Sequence, residues 1–274
     1  MQLLVTRPQA QAAPAVRELR ALGVDAVALP LIGIEAVAGE PGSPPTELAR
    51  AWASLAACRL VMFVSANAVA HFFAAAPAGA AWPAGTLAGS TGPGTTAALR
   101  AAQVPPGCIR EPAPESAALD SEALWAQLRP HDWAGARVLV VRGEGGRDWL
   151  GDTLRGAGAM VSFVAAYRRT LPVWTAEQRE RMAAVERGPQ HFAWQISSSE
   201  GVRNLLALSP ALHWRASPAF ATHPRIGQAA RDAGFKWVRV IAPGAAAQAQ
   251  AWHDRTQGDE AAGPGGPSIQ SRPL

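Results

Sequence analysis

Two cysteines, one tyrosine and a single lysine stand in a chain of 274 residues. Cys58 and Cys108 form no CxxC pair, so neither a disulfide framework nor a structural zinc site is expected. With Lys236 the only lysine, almost the whole basic complement is arginine. No apolar run approaches the about 18 residues of a membrane span, since "AACRLVMFVSANAV" soon meets polar groups. The start, "MQLLVTRPQ", has no basic leader before an apolar core, and the expected setting is reducing and cytoplasmic. His71, His191, His213 and His223 fall in no HExxH or other ligand spacing, and no GxSxG elbow occurs, so no metal site is expected.

What is present is a long apolar pattern with a modest positive excess of +4. Arginine suits bidentate binding of carboxylates and phosphates. A composition biased toward Arg, Ala, Gly and Pro explains the excess equally well, so charge alone assigns no partner. No RNP pattern, zinc finger or concentrated basic stretch points to nucleic acid.

Strand and helix signals alternate along the chain. "QLLVTRP", "VDAVALPLIGIEAV", "RLVMFVS", "GTLAGS", "VLVVRG", "HFAWQIS" and "FKWVRVIAPG" read as strands. Helical segments include "QAQAAPAVRELRALG", "TELARAWASLAAC", "ANAVAHFFAAA", "GTTAALRAAQ", "DSEALWAQL" (with Asp120 or Ser121 as N-cap), "TAEQRERMAAVERG" and "SEGVRNLLALS". "AGEPGSPP" from Ala38 reads as a linker or exposed loop. The alternation predicts an α/β protein with parallel sheets covered by helices.

An internal repeat doubles the pattern. "LLVTRP…LRALGVDAVALPLI" matches "VLVVRG…LRGAGAMVSFVAAY". "VMFVSANAV" matches "AWQISSSEGV", and "LAGSTGPGTTAAL" matches "FATHPRIGQAARDAG". Two similar α/β domains follow, although the cut between them need not fall between the repeats. The stretch 253–274, rich in Gly and Pro, is expected to lie outside both as a disordered tail.

The turn "RGEGGRDW" has the look of a phosphate cradle and fails as one. A P-loop needs a lysine after its glycines, and here Arg147 and Asp148 follow; a dinucleotide fingerprint needs a glycine where Trp149 stands. Gly143 and Gly145 still let backbone N–H groups approach an anion, with Arg142 and Arg147 beside them. A turn with merely solvated arginines fits the same residues. Ser65 and Asn67 in "VSANAV", Ser198 and Ser199 in "SSSEGV", and Thr95 in "STGPGTT" share the strand-end, helix-start design. Each serves as an N-cap or as a neutral anion donor. His71, amid "AHFFAAA", reads as half-buried packing; His223 sits in a loop as a site candidate. Tyr167 closes its strand as a cleft-rim phenol or as a half-buried strand residue.

These motifs, in their order and spacing, resemble the uroporphyrinogen-III synthase family, in a form like that of proteobacteria. The likeness runs from about residue 3 to 240 through "VTRP", "PLIGI", "VMFVSANAV", "GPGTTAAL", "DSEALW", "VLVVRGEGGRDWL", "YRRTLP" and "SSSEGVRNL". It implies two parallel-sheet α/β domains joined by a two-stranded connector, with an active-site cleft between them. Residues 1–34 and 168–252 would form one domain and 35–167 the other. The implied substrate is the linear tetrapyrrole hydroxymethylbilane, closed to uroporphyrinogen III with loss of water and inversion of ring D. No cofactor or metal is implied.

Tyr167 falls on the family's important tyrosine, Thr95 on its cleft threonine, and Ser65 and Ser198 on its strand-end serines. Arg7, Asn67, Arg142, Gly143, Gly145, Arg147 and Ser199 complete the expected binding set. "HPRIG" departs from the "GPTTA"-like turn of some members, leaving His223 and Arg225 in place of a threonine contact. The expected partners are the small-molecule substrate and, transiently, the upstream bilane-forming enzyme; the chain is expected to act as a monomer, away from nucleic acid and membrane. A noncatalytic anion-binding or interaction protein is the alternative.

Overall fold

The computed structural model describes residues 1–37, 46–113, 121–145 and 148–261, with side chains as far as Gln257. The expected loop at 38–45, Asp120, Arg147 and the stretch 262–274 lie outside the described residues.

The chain divides into two compact units, Met1–Gly33 with the chain from Thr170 onward, and Ile34–Arg169. In chain order the elements begin with β1 (Gln2–Val5), α1 (Gln9–Ala21), β2 (Ala26–Ala28) and β3 (Gly33–Ala36). Then come α2 (Glu47–Ala53), β4 (Leu60–Phe63), α3 (Ala66–Ala74), β5 (Leu87–Ser90), α4 (Pro93–Ala101), β6 (Ile109–Arg110) and α5 (Ser121–Leu128). The middle holds β7 (Arg137–Gly143), α6 (Trp149–Gly156), β8 (Met160–Thr170) and α7 (Ala176–Arg187). The chain closes with β9 (Phe192–Ile196), α8 (Ser199–Leu208), β10 (Ala219–Ala221), α9 (Pro224–Asp232), β11 (Val238–Val240) and α10 (Ala245–Ala261).

The strand expected over "VDAVALPLIGIEAV" is two strands, β2 and β3, in different sheets. Pro30 stands between them, and with no N–H it cannot donate to a ladder; the indole of Trp174 donates to its carbonyl at 2.7 Å.

One sheet has the order β11-β10-β9-β1-β2 and the other β3-β8-β7-β4-β5-β6. Setting aside the edge strand β3, the second is the first rebuilt from its repeat partners. β1 and β2 correspond to β7 and β8, β9 to β4, and β10 to β5. Each sheet therefore mixes the two sequence halves: β1 pairs in parallel with β9, Leu4 opposite Trp194. β4 pairs in parallel with β7, Val61 opposite Leu139.

Helices cover both faces of each sheet, which is why the central strands are apolar on both sides. In the first unit α8 packs Val202 and Leu205 with Leu4 and Trp194 on one face. On the other face α1 packs Ala12, Val16 and Leu19 with Leu3 and Val5. In the second, α3 packs Val69 and Phe72 against Phe63 and Val141, while α6 packs Leu150 and Leu154 against Met62 and Val140. Thus the helices leaving β9 and β1 go to opposite faces, as do those leaving β4 and β7. Each sheet has one such switch point, where an open α/β sheet parts its strand ends to make a ligand crevice.

The tail expectation is corrected at its start. α10 continues through 253–261. The His253 ring is 3.0 Å from the carbonyl of Leu22, and Arg239 pairs with Asp254 at 3.0 Å. Buried Trp252 holds the helix in the core, and the next turn follows it.

Candidate active site

At the switch point of the second unit, β4 ends and Ser65 caps α3, its Oγ accepting from the backbone N–H of Ala68 at 3.1 Å. The Tyr167 hydroxyl lies 3.0 Å from that Oγ. Tyr167 is 1% exposed, so the phenol is buried rather than at a rim.

A slip in strand register aims it there. Along β7 and β8, Arg142 is opposite Ala165 but Gly143 is opposite Tyr167, so Ala166 is an extra residue. Such a bulge reverses the alternation of side chains beyond it. Val164, Ala166 and Tyr167 consequently pack on the same face, with α3, whereas Phe163 packs on the α6 side.

Gly143 lets the ring lie flat against β7. A Cβ there would stand 2.8 Å from Cε2 and 2.9 Å from Cζ of Tyr167. The backbone N–H of Glu144 donates to the Tyr167 carbonyl at 2.8 Å, locking the bulge. Arg169 donates an Nη–H to the phenol oxygen at 3.3 Å; its guanidinium carbon is 5.6 Å from the ring centroid. The His71 ring stacks on Tyr167, with centroids 5.9 Å apart and planes 26° apart. Burial pulls the His71 imidazolium below its ordinary pKa.

His71 and Arg169 were not among the expected site residues. Arg169 was legible, because residues two apart on a strand share a face. Nothing local marks His71, which reaches the tyrosine only through the docking of α3.

The other expected residues separate into groups. Asn67 lies in the first turn of α3, partly exposed. Thr95, 6% exposed, is in the first turn of α4, one strand away at the end of β5. Its neighbour Thr96 is tied to Ser90 and Glu111. Arg142 is not a solvated arginine: it pairs with Asp148 and lies 4.2 Å over the Phe163 ring. Gly145 has φ of +72°, the left-handed region that favours glycine.

In the first unit, Ser198, Ser199 and Arg225 share a pocket of about 610 Å³ with Arg203, Gln228 and Asp232. Ser198 caps α8, accepting from the N–H of Glu200 at 3.1 Å. The Ser199 Oγ is buried with no hydrogen-bond partner among the described residues. His223 proves to be a cap: its Nδ1 accepts from the N–H of Arg225 at 3.1 Å, presenting the start of α9 to the pocket. Arg7 does not line this pocket; burial lowers its pKa, opposed by the charge of Glu18. Among the described residues no cluster of three or more His, Cys, Asp and Glu could hold a metal, and no helix is long and apolar enough to cross a membrane.

Fold and site together define a doubly wound α/β protein of two repeat-related units, with polar groups gathered at both switch points. Residues 13–249 match the family model described as uroporphyrinogen-III synthase HemD. The uroporphyrinogen-III synthase of Salmonella typhimurium is 34% identical over 88% of this chain and 94% of its own length. That of Escherichia coli K12 is 31% identical over the same shares. Among solved structures, a mutant uroporphyrinogen III synthase of Thermus thermophilus superposes with a TM-score of 0.55 at 18% identity, over 94% of this chain and 100% of its own. The Helicobacter pylori enzyme gives 0.54 at 12% identity, over 94% and 100%. The chain belongs to the uroporphyrinogen-III synthase family.

Proposed function

We propose that this protein is a hydro-lyase that closes hydroxymethylbilane to uroporphyrinogen III, with loss of water and inversion of ring D. Membership of the family carries the reaction, and the cluster of buried Tyr167 with Ser65 and Arg169 supports the chemistry. Loss of the terminal hydroxyl yields an azafulvene that reacts without an enzyme, so the protein's task is to assist that departure and hold the chain for attack at the substituted carbon of ring D. Tyr167 assists departure of the hydroxyl or orders that group. The guanidinium of Arg169 donates to the phenol oxygen at 3.3 Å and holds it beside Ser65.

The bilane is a polycarboxylate, and the donors suit it. Ser198, Ser199 and Arg225 offer hydroxyls, helix-start amides and one guanidinium around a single pocket. Asn67, Thr95 and the amides of the Gly143–Gly145 turn are the matching set in the other unit, with Arg7, Arg142 and Arg147 supplying positive potential. The protein acts as a cytoplasmic monomer on a substrate handed over by the bilane-forming enzyme.

Purified protein mixed with freshly generated hydroxymethylbilane tests the reading. Type III product should dominate early, against the type I isomer of spontaneous closure. Bilane binding with only type I product would make the protein a noncatalytic binder instead.

A further inference from the structure

Resting on that reading, we propose that Ser65, not Tyr167, is the group that hands the proton to the substrate, with Tyr167 and Arg169 standing behind it as a relay. Donors and acceptors set the direction of each bond. An arginine has only N–H donors, so at its bond with Arg169 the phenol oxygen must accept. The phenol's own proton then needs an acceptor, because a buried O–H left unpaired is costly. Tyr167 is 1% exposed, which leaves it no path to bulk water. The acceptor within reach is the Ser65 Oγ, 3.0 Å away.

Ser65 already accepts from the N–H of Ala68. Accepting from Tyr167 fills its second lone pair, and its single proton must then point away from both. Ser65 is only partly buried, so at the end of β4 that proton can reach a ligand bound at the switch point. The opposite polarity, Ser65 donating to Tyr167, would strand the phenol proton in the core. The bond directions therefore run Arg169 to Tyr167, Tyr167 to Ser65, and Ser65 to the ligand. The ring itself lies between His71, stacked on it, and Gly143.

The step balances without any further reagent. The bond from the terminal carbon to its hydroxyl oxygen breaks with the electron pair going to oxygen. Ser65 gives its proton to that oxygen, completing water, and takes the phenol proton of Tyr167. The phenolate that remains is held by the Arg169 guanidinium. The proton shed when the closed macrocycle regains its pyrroles returns to the phenolate. In this scheme Ser65 is the catalytic residue, and Tyr167 and Arg169 are positioning residues acting through it.

A double-mutant cycle on the full chain decides the matter. Ser65→Ala and Tyr167→Phe should each lower kcat for type III product roughly a hundredfold with little change in KM. The double variant should be no slower than the worse single one, since both break one relay. Ser65→Thr, which keeps hydroxyl and cap, should recover most of the rate. Arg169→Met should lower kcat with KM unmoved, and Arg169→Lys should recover part of it. Because Tyr167 is the only tyrosine, carbon-13 at its oxygen-bearing ring carbon gives one resonance. That signal should shift in Ser65→Ala and in Arg169→Met with no substrate present, and thermal unfolding of each variant shows whether it is folded.

Losses that multiply in the double variant would mean two independent contacts and overturn the relay. Full activity in Ser65→Ala beside a slow Tyr167→Phe would make the phenol itself the donor, again overturning it. An unmoved resonance in both variants would show that the bonds are not made in solution. These failures leave type III closure by the parent chain intact, whereas absence of that closure would sink the proposed function itself.

Discussion

At the scale of single residues, Gly143 and Tyr167 are one device: the ring occupies the space that any side chain on β7 would need. Gly143→Ala should push the ring off β7 and stretch its bond to Ser65. A stability loss of about 1–3 kcal/mol is expected, as for overpacking elsewhere, together with a clear fall in the type III rate. A melting curve and early-time isomer ratios check both; a variant with parental rate would show that the ring has room to move.

His71 makes the site sensitive to acid. Burial lowers its pKa from 6.5, so in the range below that value the unfolded chain binds more protons than the folded one. Stability is therefore present above 6.5 and lost as pH falls through the lowered value. His71→Gln should flatten this part of the pH dependence, read as the urea midpoint against pH. Parallel curves for variant and parent would remove the assignment.

At the scale of elements, the helix starts carry both structure and chemistry. Ser65 and Ser198 cap α3 and α8, while Thr175 and Gln178 close a reciprocal capping box at α7. Thr175→Ala should cost about 1 kcal/mol and leave closure of the bilane unchanged, since no residue of α7 lines the pocket of Ser198, Ser199 and Arg225. A comparable loss of rate would reveal coupling between α7 and the site.

α10 is the element whose extent the sequence pattern understated. Its small and polar residues at 253–261 carry no apolar stripe, yet buried Trp252 anchors the helix and His253 and Asp254 bond back to the first unit. A chain stopped at Ala251 should be less stable than one stopped at Ala261 by about 3 kcal/mol or more, chiefly from loss of the indole. Equal denaturation midpoints for the two would contradict the packing of Trp252.

At the scale of the whole molecule, the two units differ in how the chain supplies them. The second is one continuous segment with helices on both faces of its sheet. The first needs β1 and β2 from one end and β9 to β11 from the other. We expect a fragment of residues 34–169 to fold alone and unfold cooperatively, and residues 170–274 to fail without the first 33. Cooperative folding of 170–274 by itself would show that β1, though central in its sheet, is dispensable.

Local sequence was enough for the alternation of strands and helices, for the doubled pattern, and for the serines at strand ends. These are set by side-chain periodicity and by the need of helix starts for acceptors, which act over a few residues. The lone tyrosine beside two arginines was equally visible. Its direction was not, because strict alternation places Tyr167 on the face of Phe163, and only the bulge opposite Gly143 turns it to α3. Likewise Arg142 read as a free cation until Asp148 and Phe163 were found against it, and His71 read as packing until α3 brought it onto the tyrosine. Strand neighbours such as β1 and β9 lie roughly 190 positions apart, and their pairing rests on burial of both faces of a whole sheet. Such choices are made by global packing, which no window of the sequence contains.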